Sequence, residues 1–163
     1  MVKVFAIDPG TYESAFIIWD GENIGGFGIL PNEDMLFKIL EPGIEELIIE
    51  KIACYGFPVG QSTLDTCEWT GRFDQQWFLL SGKRAILITK NQVQVHHCKT
   101  TRSVDANINQ VLRDKYAYGV RNYGKGTKKD PGFFYGFKEK DHWDAFAVAT
   151  CYTETHGFSK EEI

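Results

Sequence analysis

A chain of 163 residues is the size of one domain and long enough to bury a core without disulfide or metal staples. Its 43% hydrophobic and 25% charged residues are ordinary for a soluble protein, no apolar run reaches the roughly 18 residues of a membrane span. The opening residues lack a secretory signal pattern, so a cytoplasmic protein with no membrane partner is the expectation. The net charge of −4 speaks against nucleic acid only until it is divided: residues 1–82 carry 4 Lys/Arg against 13 Asp/Glu, residues 83–140 carry 13 against 4, and residues 141–163 carry 1 against 5.

Residues 2–8 predict a strand buried on both faces that ends on Asp8, and Pro9-Gly10 predicts a tight turn. Residues 14–19 give a second strand, hairpin-paired to the first. Asp20-Gly21 turns the chain into a third at 24–30. A short helix over 34–40, closed by Pro42-Gly43, leads to a fourth strand over 46–53 whose apolar part ends on Glu50. A crossover through a helix suits parallel pairing. Ser62 or Thr63 can cap a helix over 63–80, with Leu64, Cys67, Gly71 and Phe78 at helical spacing and Ser81-Gly82 as its stop. A fifth strand follows at 84–89 and a helix at 104–116. Residues 119–138 are rich in glycine, lysine and aromatics without periodicity, and read as a flexible basic loop. A last helix runs from Asp141 to about Glu154. The sum is a single α/β domain over 1–163: a five-stranded mixed sheet, three antiparallel strands then two parallel, flanked by helices.

Cys54, Cys67, Cys98 and Cys151 form no CxxC pair and read as free thiols. His96-His97-Cys98, read as strand residues, would point to alternate faces and chelate poorly, so zinc is not expected there.

The acids carry the chemistry. Asp8 and Glu50 end buried strands that become neighbours if the first strand is central, and Asp141 and Asp144 share one face of the last helix at i, i+3. Helix capping accounts for Asp141 but not for Asp144, whose next turn is apolar. Four converging carboxylates repel one another, and a hard divalent cation relieves that repulsion. Oxygen-only ligation favours magnesium or manganese and points to phosphodiester hydrolysis. Two ions about 4 Å apart are expected, with Asp8 bridging them. His142 neighbours the acids but faces elsewhere on the helix.

Ile7-Asp8-Pro9-Gly10-Thr11, Ile48-Ile49-Glu50 and Asp141-x-x-Asp144-Ala-x-Ala, in this order across nearly the whole chain, resemble the acidic motifs of RuvC-type Holliday-junction resolvases. The short crossover after the third strand looks most like the phage-encoded branch, which would act in the host cytoplasm. The resemblance implies a ribonuclease-H-like fold, with Asp8, Glu50, Asp141 and Asp144 as catalytic metal-holding residues. It also implies a homodimer that nicks four-way DNA junctions with two Mg2+ or Mn2+ ions per site, in DNA recombination and repair. The family carries an aromatic wedge three residues after its second acid, where this chain has Ala53. Tyr55 or Phe57 stands nearby to replace it, which extends the expectation to other branched DNA.

Lys99, Arg102, Lys125, Lys128 and Lys129 are candidates for holding phosphates, and Tyr55, Tyr123, Phe133, Phe134 and Tyr135 for meeting DNA bases. The helix over 63–80 offers Trp69, Phe73, Trp77 and Phe78 as a dimer surface, although periodicity assigns them equally to core. Three rival readings remain: a ribonuclease H cutting RNA–DNA hybrids, a non-catalytic branched-DNA-binding protein, and a nucleotide-phosphate binder. The last arises because Asp8-Pro9-Gly10-Thr11 also resembles the first phosphate loop of actin-like ATPases and sugar kinases. Those need a second lobe and loop not seen in these 163 residues.

Overall fold

The computed structural model describes residues 2–156. Strands β1 (Val4–Asp8), β2 (Glu13–Trp19), β3 (Ile24–Pro31), β4 (Glu46–Lys51) and β5 (Ile86–Thr89) form one sheet in the order β3-β2-β1-β4-β5. β1 is central. It pairs antiparallel with β2, from Val4↔Trp19 to Asp8↔Ala15, and parallel with β4, from Val4↔Glu46 to Ile7↔Ile49. β2 pairs antiparallel with β3, and β4 parallel with β5, so the expected mixed topology holds.

Alternation along β1 divides the molecule into two cores. Phe5 and Ile7 face a layer built from α1 (Asn32–Lys38) and α2 (Gln61–Ser81), with Met35, Phe73 and Trp77 buried against them. Val4 and Ala6 face the other layer, where α3 (Lys90–Cys98), α4 (Asp105–Ala117) and α5 (Lys140–His156) pack with Trp19, Phe134 and Phe146. α5 is buried continuously from Trp143 to Cys151, since it lies across the middle of the sheet. No helix among the described residues is long and apolar enough to cross a membrane.

The turn after Asp8 is held from below. Gly10 N–H donates to Ser14 Oγ (3.1 Å), Ser14 Oγ donates to Asn32 Oδ1 (2.6 Å), and Asn32 Nδ2 donates to the Gly10 carbonyl (2.9 Å). Gly10 has no room for a side chain: a Cβ there would stand 2.2 Å from the Glu13 carbonyl oxygen.

Three sequence expectations are corrected. Residues 90–98 are a helix, not part of a strand, so His96 and His97 lie on neighbouring helical positions. His96 Nε2 meets Glu154 Oε2 at 2.5 Å, and His97 Nε2 lies 3.0 Å from the Ala147 carbonyl oxygen. On α2 the spacing Leu64, Cys67, Gly71, Phe78 marks the exposed face, whereas Phe73 and Trp77 are core and Trp69 is partly buried, so those three do not form an open dimer surface. Both stripes have helical period, and a helix with polar residues on each side of both does not reveal from sequence which one meets the sheet.

The third correction concerns residues 119–138. The segment folds on itself, with a 3-10 turn over Arg121–Gly124, a bridge between Gly126 and Pro131, and Phe134 N–H donating to the Gly124 carbonyl (2.8 Å). Its glycines serve contact: a Cβ on Gly126 would lie 2.1 Å from Gly132 N, and one on Gly132 2.1 Å from the Gly124 oxygen. Phe134 and Phe137 are buried and Phe133 packs partly buried against the same core, so these side chains anchor the segment and are not open to bases.

Candidate active site

β1 and β4 run parallel and in step, so Asp8 and Glu50 each follow the paired residues Ile7 and Ile49 on adjacent strands. Both fall on the parity of Ala6 and Ile48, the face covered by α5. α5 starts at this same edge, with Asp141 in its first turn and Asp144 one turn on. Asp8, Asp141 and Asp144 each bring a carboxylate oxygen within 4.8 Å of the others. Glu50 is outside that trio but adjoins it, one residue beyond the Ile7–Ile49 pair on the strand next to Asp8, and its charge adds to the upward shift of the Asp8 carboxyl.

Burial, reinforced by the charges of Glu50, Asp144 and Asp141, raises Asp8 from 3.8 to about 8. Glu50 rises to about 7, again chiefly through burial, with Lys90 and Lys140 opposing and Asp144 adding to the shift. Carboxylates crowded and desolvated to this extent hold protons unless positive charge is brought to them. The donor set is oxygen only, at the spacing one small cation spans, so these residues fit a hard divalent ion such as magnesium or manganese.

Three residues that the sequence reading passed over border the acids. Lys90, the first residue of α3, stands 2.8 Å from Asp105 Oδ1 and 3.8 Å from Asp144 Oδ1. Lys140, the first residue of α5, is hydrogen-bonded to Asp144 Oδ2 and lies 3.4 Å from Asp105 Oδ2. Burial alone would depress both ammonium groups, but their carboxylate partners outweigh it and hold both above the ordinary lysine value. The Lys90 bond in turn holds Asp105 below its ordinary value. A signal for Lys90 was present: Thr89-Lys90-Asn91-Gln92 is a capping box, with Gln92 Oε1 accepting from Thr89 N–H (2.8 Å) and Thr89 Oγ1 from Gln92 N–H (3.3 Å). Read so, it ends β5 at Thr89 and sets Lys90 at the carboxyl edge of a parallel strand beside Glu50.

The remaining candidates spread around this edge. Lys125, Lys128 and Lys129 are exposed on the compact 119–138 segment, and Phe134 and Phe137 of that segment lie 4.6 and 5.1 Å from the Trp143 ring, on the turn between Asp141 and Asp144. Tyr123 is exposed, and the Arg113 guanidinium lies over its ring. Tyr55 and Phe57 are both exposed on the connection that leaves β4 after Glu50, and Tyr135 is exposed as well. Lys99 and Arg102 are exposed but stand apart: α3 runs from Lys90 at the acids to Lys99 at its far end, about 13 Å of helix. His142 turns away from the acids. Its ring packs against Phe27 and its Nδ1 accepts, at 3.4 Å, from the N–H groups of Lys138 and Glu139.

The nucleotide-loop reading loses its geometry here. Gly10 N–H is already given to Ser14, and Thr11 Oγ1 is engaged with the Ser62 carbonyl (3.2 Å) and Thr66 Oγ1 (3.1 Å), so the loop offers neither group to a phosphate.

The sequence matches no protein-family model and none of the curated proteins. The structure does match solved ones. RuvC of Thermus thermophilus is 13% identical, with 96% of this chain and 97% of that one covered at a TM-score of 0.65. T. thermophilus RuvC in complex with Holliday junction substrate is 12% identical, with 94% and 93% covered at a TM-score of 0.68. Over nearly its whole length, this chain has the mixed-sheet, ribonuclease-H-like fold of RuvC.

Proposed function

We propose that the protein is a metal-dependent endonuclease that nicks four-way DNA junctions and related branches, acting as a homodimer in the cytoplasm. The observation that carries this reading is the meeting of Asp8, Asp141 and Asp144 within 4.8 Å, beside Glu50, at the end of the central strand of a RuvC fold. The junction-bound T. thermophilus structure supports branched DNA as the substrate.

Asp8, Asp141 and Asp144, with Glu50 adjoining, would hold magnesium or manganese. When bound, such ions supply an activated water and neutralise charge on the leaving 3′ oxygen. Asp8 and Glu50 must give up their protons for this, which burial resists and cation charge favours. The ammonium groups of Lys90 and Lys140 add positive charge where a scissile phosphate would lie, and the exposed lysines of the 119–138 segment stand where flanking backbone would pass. The seam of the proposed dimer would lie along the exposed stripe of α2, Leu64, Cys67, Gly71 and Phe78.

The test is cleavage of labelled four-way, three-way, Y-shaped and linear DNA and an RNA–DNA hybrid, in magnesium, manganese and calcium. Paired nicks in the four-way junction are expected, lost in Asp8→Asn while junction binding in calcium persists. Preferred cutting of the hybrid would move the reading to ribonuclease H. Binding of branches without any cutting would make the protein a scaffold.

A further inference from the structure

The charges at the rim of the acid cluster form a closed arrangement that cation binding alone does not require. Asp105 gives one oxygen to each of two lysines, Oδ1 to Lys90 and Oδ2 to Lys140. Asp144 faces the same two, with Oδ1 toward Lys90 and Oδ2 toward Lys140. Positive and negative groups therefore alternate around a ring of four side chains supplied by the first residues of α3, α4 and α5 and the second turn of α5. One side of the ring is covered, with Asp144 buried and Lys90 two-thirds covered, whereas Lys140 and Asp105 are 60% and 37% exposed, so the contact of Lys90 with the two acids carries more of the effect than that of Lys140 with Asp105.

An ammonium group and a divalent cation compete for the same oxygens of Asp144. Asp105 offers the lysines another partner, one outside the trio of carboxylates that meet one another. We propose that Asp105 is a positioning residue: by holding Lys90 and Lys140 it limits how firmly they press on Asp144, and so sets the cation affinity of the cluster and the aim of both ammonium groups at a phosphate. A lysine has three N–H donors, so one that serves Asp105 and Asp144 retains a donor for a phosphate oxygen. The second half of the proposal rests on the nuclease reading; the first does not.

The test is manganese uptake by the protein alone, followed by titration calorimetry, with melting temperatures to confirm folding. Asp105→Asn, and Asp105→Ser as a second variant, should weaken manganese binding about fivefold or more, whereas Lys90→Met/Lys140→Met should strengthen it. In the doubly substituted background the Asp105→Asn effect should shrink below about twofold, because the lysines through which it acts are gone. An equal loss in both backgrounds would overturn the proposal, leaving Asp105 as a distant negative charge, and no loss in either would do the same. In cleavage of a four-way junction, Asp105→Asn should lower kcat with KM little changed. Wild type that binds manganese and cuts nothing defeats the nuclease reading, while the manganese comparison still decides the role of Asp105. Wild type that takes up no manganese defeats both.

Discussion

Phe134 lies against the indole of Trp143, with 4.6 Å between ring centres, on the helical turn that separates Asp141 from Asp144. The basic segment is thereby fastened to the acidic site. Phe134→Ala removes a fully buried ring and should cost about 3–5 kcal/mol in urea unfolding, while Tyr135→Ala next to it, half exposed, should cost less than about 1 kcal/mol. Equal losses would show that the segment is not anchored this way.

The acid cluster should oppose folding at alkaline pH. Asp8 and Glu50 titrate at about 8 and about 7 when folded, against ordinary values of 3.8 and 4.5. Between those limits the folded protein binds protons that the unfolded chain has released, so their contribution to stability falls as pH rises from about 4 to about 8. Asp105 and His97 are shifted down and act in the opposite sense, the first keeping its contribution above its unfolded value and the second favouring the fold as pH rises through the histidine range. The clean quantity is the difference between wild type and Asp8→Asn in EDTA: the variant should gain about 1–3 kcal/mol over wild type above pH 7 and lose that gain on acidification. Magnesium should raise the melting temperature of wild type and leave the variant nearly unmoved. A variant less stable than wild type at pH 8 would contradict the electrostatic account.

Replacing Lys125, Lys128 and Lys129 with glutamine should weaken junction binding and reduce the slope of log affinity against log salt by about 0.9 for each lysine that meets a phosphate. Lys99→Gln, a helix length away from the acids, should change that slope less. A slope unmoved by the triple change would remove the segment from the DNA surface.

Gly71 faces outward on α2, and beyond the backbone of its own helical turns no described atom lies within 4 Å of where a Cβ would stand. Gly71→Glu should therefore leave the monomer folded and split the proposed dimer, seen as a loss of mass in sedimentation velocity with the helical circular dichroism unchanged. A variant that stays dimeric would move the seam elsewhere.

Sequence made the sheet legible because its strands are marked twice, by apolar composition and by the turns at Pro9-Gly10 and Asp20-Gly21 between them. Asp8, Asp141 and Asp144 were legible because the first ends a strand and the other two share a helical face. Asp105 and Lys140 were not, and for Lys90 only its place after β5 was, through the capping box. Each opens a helix, and what brings them together is the convergence of three helix starts at one sheet edge, a tertiary fact with no period in the chain. The buried aromatics at Phe134 and Phe137 escaped for a related reason: glycine and lysine around them give a loop composition, while the segment's fold depends on backbone crossing at Gly126 and Gly132.

The two-core division of β1 has a consequence for how this site tolerates change. Phe5 and Ile7 belong to one layer, Val4 and Ala6 to the other, and Asp8 takes its side by counting. One residue inserted between Val4 and Ile7 would leave a strand that still pairs, yet turn the carboxylate to the opposite face, the one covered by α1 and α2. Length variation is therefore barred from this short stretch even where almost any apolar residue would satisfy the sheet, and insertions accumulated over long divergence would have to fall beyond it, in the connections that the acids do not count across.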